Sequence, residues 1–148
     1  MVGVLYSINR PHTDNIKSGL KLWEIRKSKP NLPVPFPAFI YETKRNGGCG
    51  KVIGEFICDN IIDFWYDKGF YLPTGKLKTD TCLTNTEFYD YGKGKPLYGL
   101  HISNLKIYDK PKELSEFKGR KLVWRGMNHI RVFEEMEKPP QSMCYVEI

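Results

Sequence analysis

The stretch Ile16-Lys17-Ser18-Gly19-Leu20-Lys21-Leu22-Trp23-Glu24-Ile25-Arg26 decides how this chain is read. Gly19 accepts at low cost the positive φ that closes a helix, so the residues before it form a short helix. Beyond it Trp23 and Ile25 alternate with Leu22, Glu24 and Arg26, the period-two pattern of a strand. Glu24 and Arg26 therefore share one strand face, ~6.5–7 Å apart along the strand, and Lys21 sits at the turn beside them. Spacing alone admits two readings of these charges. One is a surface salt bridge, contributing at most ~1 kcal/mol and functionally silent. The other is a carboxylate that holds an arginine fork flat against a phosphate or a base edge.

Before this stretch, Val2, Val4, Tyr6 and Ile8 alternate with smaller neighbours and predict a first strand. Thr13 is the expected N-cap of the following helix, Asp14 complements its dipole, and Ile16 and Leu20 form its apolar stripe. After the stretch, Pro30, Pro33, Pro35 and Pro37 exclude ladder and helix interior and predict an extended surface connection. Strand pattern resumes over Ala38 to Lys44, and Arg45-Asn46-Gly47-Gly48-Cys49-Gly50 is a hairpin turn signal. Lys51 to Phe64 is apolar on both faces and reads as a central strand. Within it Gly54 marks a bulge or close backbone approach, and Glu55 is a half-buried carboxylate in need of a partner.

Trp65 to Lys95 reads as an irregular excursion with one short helix around Thr84 to Tyr91. Leu97 to Tyr108 is a further strand, Lys112 to Phe117 a short helix, and Met143 to Ile148 a last strand. Residues 118–138 form a basic insertion with Trp124 as its buried-looking anchor. These elements predict an α+β fold dominated by five or six strands, mostly antiparallel, closing into a small β-barrel with two or three short helices.

At 148 residues the chain fits one domain, long enough for a core without disulfides or metal. The absence of any run of ~18 apolar residues excludes a spanning helix, and the N-terminus does not have the form of a signal peptide. Cys49, Cys58, Cys82 and Cys144 are scattered without CxxC spacing, which argues against a zinc site and for reduced thiols in a cytoplasmic protein. Cys58 and Cys144 read as small core residues within strands. Twenty-three Lys and Arg against seventeen Asp and Glu leave +6, a balance that suits a polyanionic partner as well as plain solubility. No cofactor motif is present.

Gly19-x-Lys21-x-x-Glu24-x-Arg26, after a first strand and short helix, resembles the signature of the ASCH family, relatives of the PUA domain. Lys51-Val52-Ile53-Gly54-Glu55-Phe56 is similar to the family's central strand. Leu100-His101-Ile102-Ser103 through Pro111 and Leu114 is similar to its late strand and helix. The ending Pro139-Pro140-Gln141-Ser142-Met143-Cys144-Tyr145-Val146-Glu147 is similar to that of small prokaryotic and phage members. The resemblance implies a PUA-like barrel of the whole of residues 1–148, with a ligand cleft lined by Lys21, Glu24 and Arg26 and an RNA or nucleotide-like ligand. It also implies a hydrolase alternative, since some members are ribonucleases and one branch deacylates N-acetylated cytidine with a lysine, a threonine and a glutamate. Lys21 matches that lysine, whereas Glu24 stands at the threonine's place.

In the binding reading Arg10, His12, Lys21 and Arg26 line a cationic cleft, Glu24 orients the arginine, and Tyr41 stacks a base. In the hydrolytic reading Lys21 is a base once desolvated, with Glu24 or Glu55 orienting water. A second basic patch comprises Lys118, Arg120, Lys121, Arg125 and Arg131 around Trp124. His101 and His129 belong to no catalytic arrangement, and a regulatory interaction module is the third reading.

Overall fold

The computed structural model describes all residues, Met1 to Ile148. Nine strands and three α-helices follow one another along the chain. They are β1 (Val2–Ile8), α1 (His12–Lys17), β2 (Trp23–Arg26), β3 (Phe36–Glu42), β4 (Lys51–Asp67) and β5 (Phe70–Leu72). After these come α2 (Lys76–Thr79), α3 (Asn85–Gly92), β6 (Leu97–Lys112), β7 (Lys118–Arg125), β8 (Asn128–Glu135) and β9 (Met143–Glu147). Hydrogen-bonded neighbours run β2-β6-β4-β3-β1-β9-β7-β8, with β5 beside β4. The order has two ends, so the expected closed barrel of five or six strands is corrected to an open sheet of nine, eight on the path and β5 off it. The extra strands come from segments read as irregular or as an insertion, β5 and the β7–β8 pair.

Two compact units interleave along the chain: residues 1–10, 36–56 and 105–148, and residues 11–35 and 57–104. In the first, β1 runs parallel to β3, with Tyr6 opposite Ile40, and antiparallel to β9, with Gly3 opposite Val146. Consecutive residues of a strand point to opposite faces, and Val4, Leu5 and Tyr6 are all fully buried, so β1 is covered on both. Leu5, Phe39, Tyr41, Val52, Phe117 and Val146 form the core, with Cys144 packed against it. Gly54 is required by close approach, because a Cβ there would lie 2.6 Å from the Lys106 carbonyl oxygen. Pro37, expected outside any ladder, lies instead near the start of β3, where its missing N–H is tolerated.

The basic segment is a β-hairpin, with Val123 opposite Ile130 and Trp124 opposite His129. Alternating branched and aromatic residues on either side of Gly126 (φ +62°) build it. Trp124 is 67% exposed, which corrects its reading as a buried anchor. A two-stranded ribbon has no third layer there to cover the ring.

In the second unit β2 pairs with β6, Trp23 facing His101 and Arg26 facing Tyr98. Trp23, Ile25, Phe64, Tyr71, Phe88 and Leu97 make its core, each fully buried aromatic or leucine contributing about 1.5–3 kcal/mol. Thr13 is not an N-cap: α1 begins at His12 without a side-chain cap, and Thr13 is buried within it. Leu20 is exposed because α1 has already ended, with Gly19 at φ +80°, so Ile16 alone is the helix's buried apolar anchor. Residues 65–95 hold more order than expected. β4 continues to Asp67, turns back as β5, and two helices follow. The longer, α3, carries a reciprocal capping box between Thr84 and Glu87.

Candidate functional site

Lys21, Glu24 and Arg26 come together in the second unit, and they do so out of water. Lys21 is 2% exposed, Glu24 5% and Arg26 8%. The Lys21 Nζ lies 3.8 Å from Glu24 Oε1, and Arg26 Nη1 lies 3.4 Å from Glu24 Oε2. One carboxylate thus stands between two cations, each held by a separate oxygen. The surface salt-bridge reading is overturned by burial, because β2 is covered on both faces. Taking such ions from water costs several kcal/mol each, so the cluster is not a cheap stabilising device.

The backbone fixes the lysine before its side chain is considered. The Asn15 carbonyl accepts from both the Leu20 and the Lys21 amides, at 3.1 and 3.0 Å. The Leu22 amide donates to the Asp80 carbonyl at 2.7 Å, and the Lys21 Nζ donates to the Thr81 carbonyl at 2.6 Å. That carbonyl is aimed by a short turn after α2. There the Thr81 hydroxyl donates to the Lys78 carbonyl, the Leu83 amide donates to the Thr81 hydroxyl, and Cys82 adopts φ +58°. Non-glycine residues enter that left-handed region uncommonly, and such backbone conformations cluster at functional sites.

Burial pushes the Lys21 ammonium below its ordinary pKa, against the pull of Glu24. His12 stands in the same field. Burial lowers its pKa first and the Lys21 charge lowers it further, while Glu24 and Glu87 oppose both. The His12 Nδ1 is buried and has no hydrogen-bond partner. Tyr91 also feels the pair: burial raises its hydroxyl pKa, Arg26 lowers it and Glu24 raises it.

The remaining candidates belong to the first unit. Tyr41 is 5% exposed and packs in the core, which corrects its assignment as a stacking platform, because its ring is already covered. Arg10 Nη1 donates to the Gly47 carbonyl at 3.3 Å. Glu55 lies on β4 beside Tyr108, whose hydroxyl pKa is raised by burial and then by that carboxylate. Lys118, Arg120, Lys121, Trp124 and Arg125 lie together on β7. No group of His, Cys, Asp and Glu has metal-binding geometry, and no helix is long and apolar enough to cross a membrane.

Thr81, Tyr91 and Glu87 escaped the reading of the sequence. A backbone carbonyl acceptor has no side-chain signature, whereas the Thr84-x-x-Glu87 capping box was legible and locates α3.

No family model matches the chain, and no curated protein does either. Solved structures do. The crystal structure of ASCH from Zymomonas mobilis superposes with a TM-score of 0.60 at 19% identity, covering 76% of this chain and 73% of that one. A serine-to-alanine variant of that protein gives 0.62 at 18% identity, over 95% of this chain and 85% of the other. A tyrosine-to-phenylalanine variant gives 0.59 at 18%, over 76% of each. The chain therefore has an ASCH-type fold.

Proposed function

We propose that this chain recognises RNA or a nucleotide-like ligand through the corner formed by Lys21, Glu24 and Arg26, with His12 beside it. The burial of the ion cluster carries the reading: two cations and a carboxylate, each less than a tenth exposed, contact one another away from water. Such an arrangement is expensive for the fold, and perturbed ionisable groups of this kind gather at functional sites. Cations outnumber the carboxylate in contact with them, which favours an anionic ligand. The arginine fork and the unpartnered imidazole nitrogen are the polar groups a phosphate or base edge engages. The ASCH-type fold and the chain's formal charge of +6 agree with this reading.

Isothermal titration with uridine monophosphate and a short single-stranded RNA, repeated over a salt series, tests it. Arg26→Gln and Lys21→Met should each weaken binding about tenfold or more, the cost of a lost charge-assisted hydrogen bond. Wild-type affinity in both folded variants, or affinity indifferent to salt, would rule the site out.

One observation favours a hydrolytic second reading. A general base needs a lysine kept out of solvent, and Lys21 is buried with a lowered pKa. Glu24 opposes that shift and stands where a hydroxyl is expected in nucleoside amidohydrolases. Release of acetate from N-acetylated cytidine by the wild type, abolished in Lys21→Ala, would establish this reading. Equal release by both would remove it.

A further inference from the structure

The β7–β8 hairpin is chemically unlike the corner just described. Residues 118–133 contain Lys118, Arg120, Lys121, Arg125 and Arg131 and no carboxylate at all. The flanking acids, Glu134, Glu135 and Glu137, lie beyond that run, and Lys121 reaches one of them, Glu134, at 2.6 Å. The apolar residues of the same ribbon are uncovered: Trp124 is 67% exposed, Leu122 55% and Met127 94%. A soluble ribbon does not need an indole at its tip, and stability is not gained by leaving it in water.

Strand alternation sorts these side chains. Arg120, Leu122 and Trp124 point to one face of β7, and their cross-strand partners are Phe133, Arg131 and His129. Trp124 and His129 are in ring contact at 3.5 Å between centroids. At the base of the same face the Arg120 guanidinium lies over the Tyr145 ring, 4.1 Å from its centroid. One face of the ribbon therefore carries ring, guanidinium, guanidinium and ring in succession. Arg120 and Trp124 lie ~13 Å apart along the strand. A cationic track interleaved with stacking rings is the chemistry that holds single-stranded nucleic acid without reading its sequence.

We infer that this face of the hairpin binds single-stranded nucleic acid, with a base on Trp124 and backbone phosphates on Arg120 and Arg131. It is a second surface, independent of whether the Lys21 corner binds a nucleotide. Lys121, Val123 and Arg125 occupy the opposite face.

Fluorescence anisotropy of a labelled twelve-nucleotide oligouridylate tests the assignment, with uridine monophosphate and anionic phosphatidylserine vesicles as parallel probes. Trp124→Ala should weaken oligonucleotide binding roughly ten- to a hundredfold while leaving the mononucleotide unaffected. Arg120→Gln with Arg131→Gln should make the slope of log affinity against log salt shallower by about 1.4, at ~0.7 per phosphate contact on a single strand. Lys21→Met, by contrast, should act on the mononucleotide, so loss of that effect alone overturns the corner and leaves the hairpin standing. Unchanged oligonucleotide affinity in Trp124→Ala, an unchanged salt slope, or binding to vesicles without binding to the oligonucleotide would each overturn the hairpin assignment.

Discussion

The two basic regions of this protein solve opposite problems with the same residue types. Around Lys21 the cations are buried, each in contact with a carboxylate, and the lysine is further clamped by a backbone carbonyl. On the β7–β8 hairpin they stand in water beside uncovered apolar groups. Charge count alone does not separate the regions; solvation does. A buried cluster has a fixed geometry and altered proton affinities, which suits selection of a small group. An exposed one stays open to solvent along a ribbon, which suits contact with a repeating polyanion.

Removing Glu24 should break the contrast most severely. Glu24→Ala leaves two buried cations uncompensated and should cost about 3–5 kcal/mol, read as a lower urea midpoint at unchanged slope. A loss below about 1 kcal/mol would mean that the corner opens to water. His12 sharpens the contrast through pH. Its folded pKa is depressed, by burial and then by Lys21, so the folded state binds fewer protons than the unfolded one. The stability His12 contributes is present above its ordinary value of 6.5 and is lost as pH falls through the depressed folded value. His12→Gln should therefore flatten the acid limb of a stability–pH curve relative to the wild type. An identical limb in both proteins would place the imidazole in solvent.

On the hairpin the expected changes are small. Lys121→Ala, which deletes an exposed bridge to Glu134, should shift stability by no more than about 1 kcal/mol. Trp124→Ala should change it by within about 0.5 kcal/mol, since the indole covers little of the protein, and thermal melts at fixed pH would read both. A larger loss from Trp124→Ala would make the ring a structural element and blur the distinction between the regions.

What was legible in the sequence was local. The period-two run of β1, the two-sided apolar run of β4 and the glycine stop after α1 all depend on residues within a few positions of one another. The motif Lys21, Glu24 and Arg26 was legible as a location but not as an environment. Burial at β2 comes from residues far along the chain, Phe64, Tyr71, Phe88 and Leu97 packing on Trp23 and Ile25 and Thr81 meeting Lys21, and no local pattern reports that. Tyr41 fails as a ligand platform for the same reason: alternation gives a side chain's face, not what lies over it. The hairpin was overlooked because its charges masked the alternation of Leu122, Trp124, Ile130 and Val132. Closure into a barrel was over-read, since strand count does not dictate whether the last edge meets the first.

The bond from Lys21 to Thr81 spans sixty positions of chain. Its consequence is temporal. A growing polypeptide that has reached residue 79 already contains β1, α1 and β2, yet the acceptor for the lysine ammonium has not been synthesised. The corner comes into being only when the turn after α2 closes that long loop, an entropic cost borne once and late. The Lys21 corner is thereby assembled only once that turn is in place: fragments lacking it have the motif in full and no carbonyl to hold the lysine ammonium.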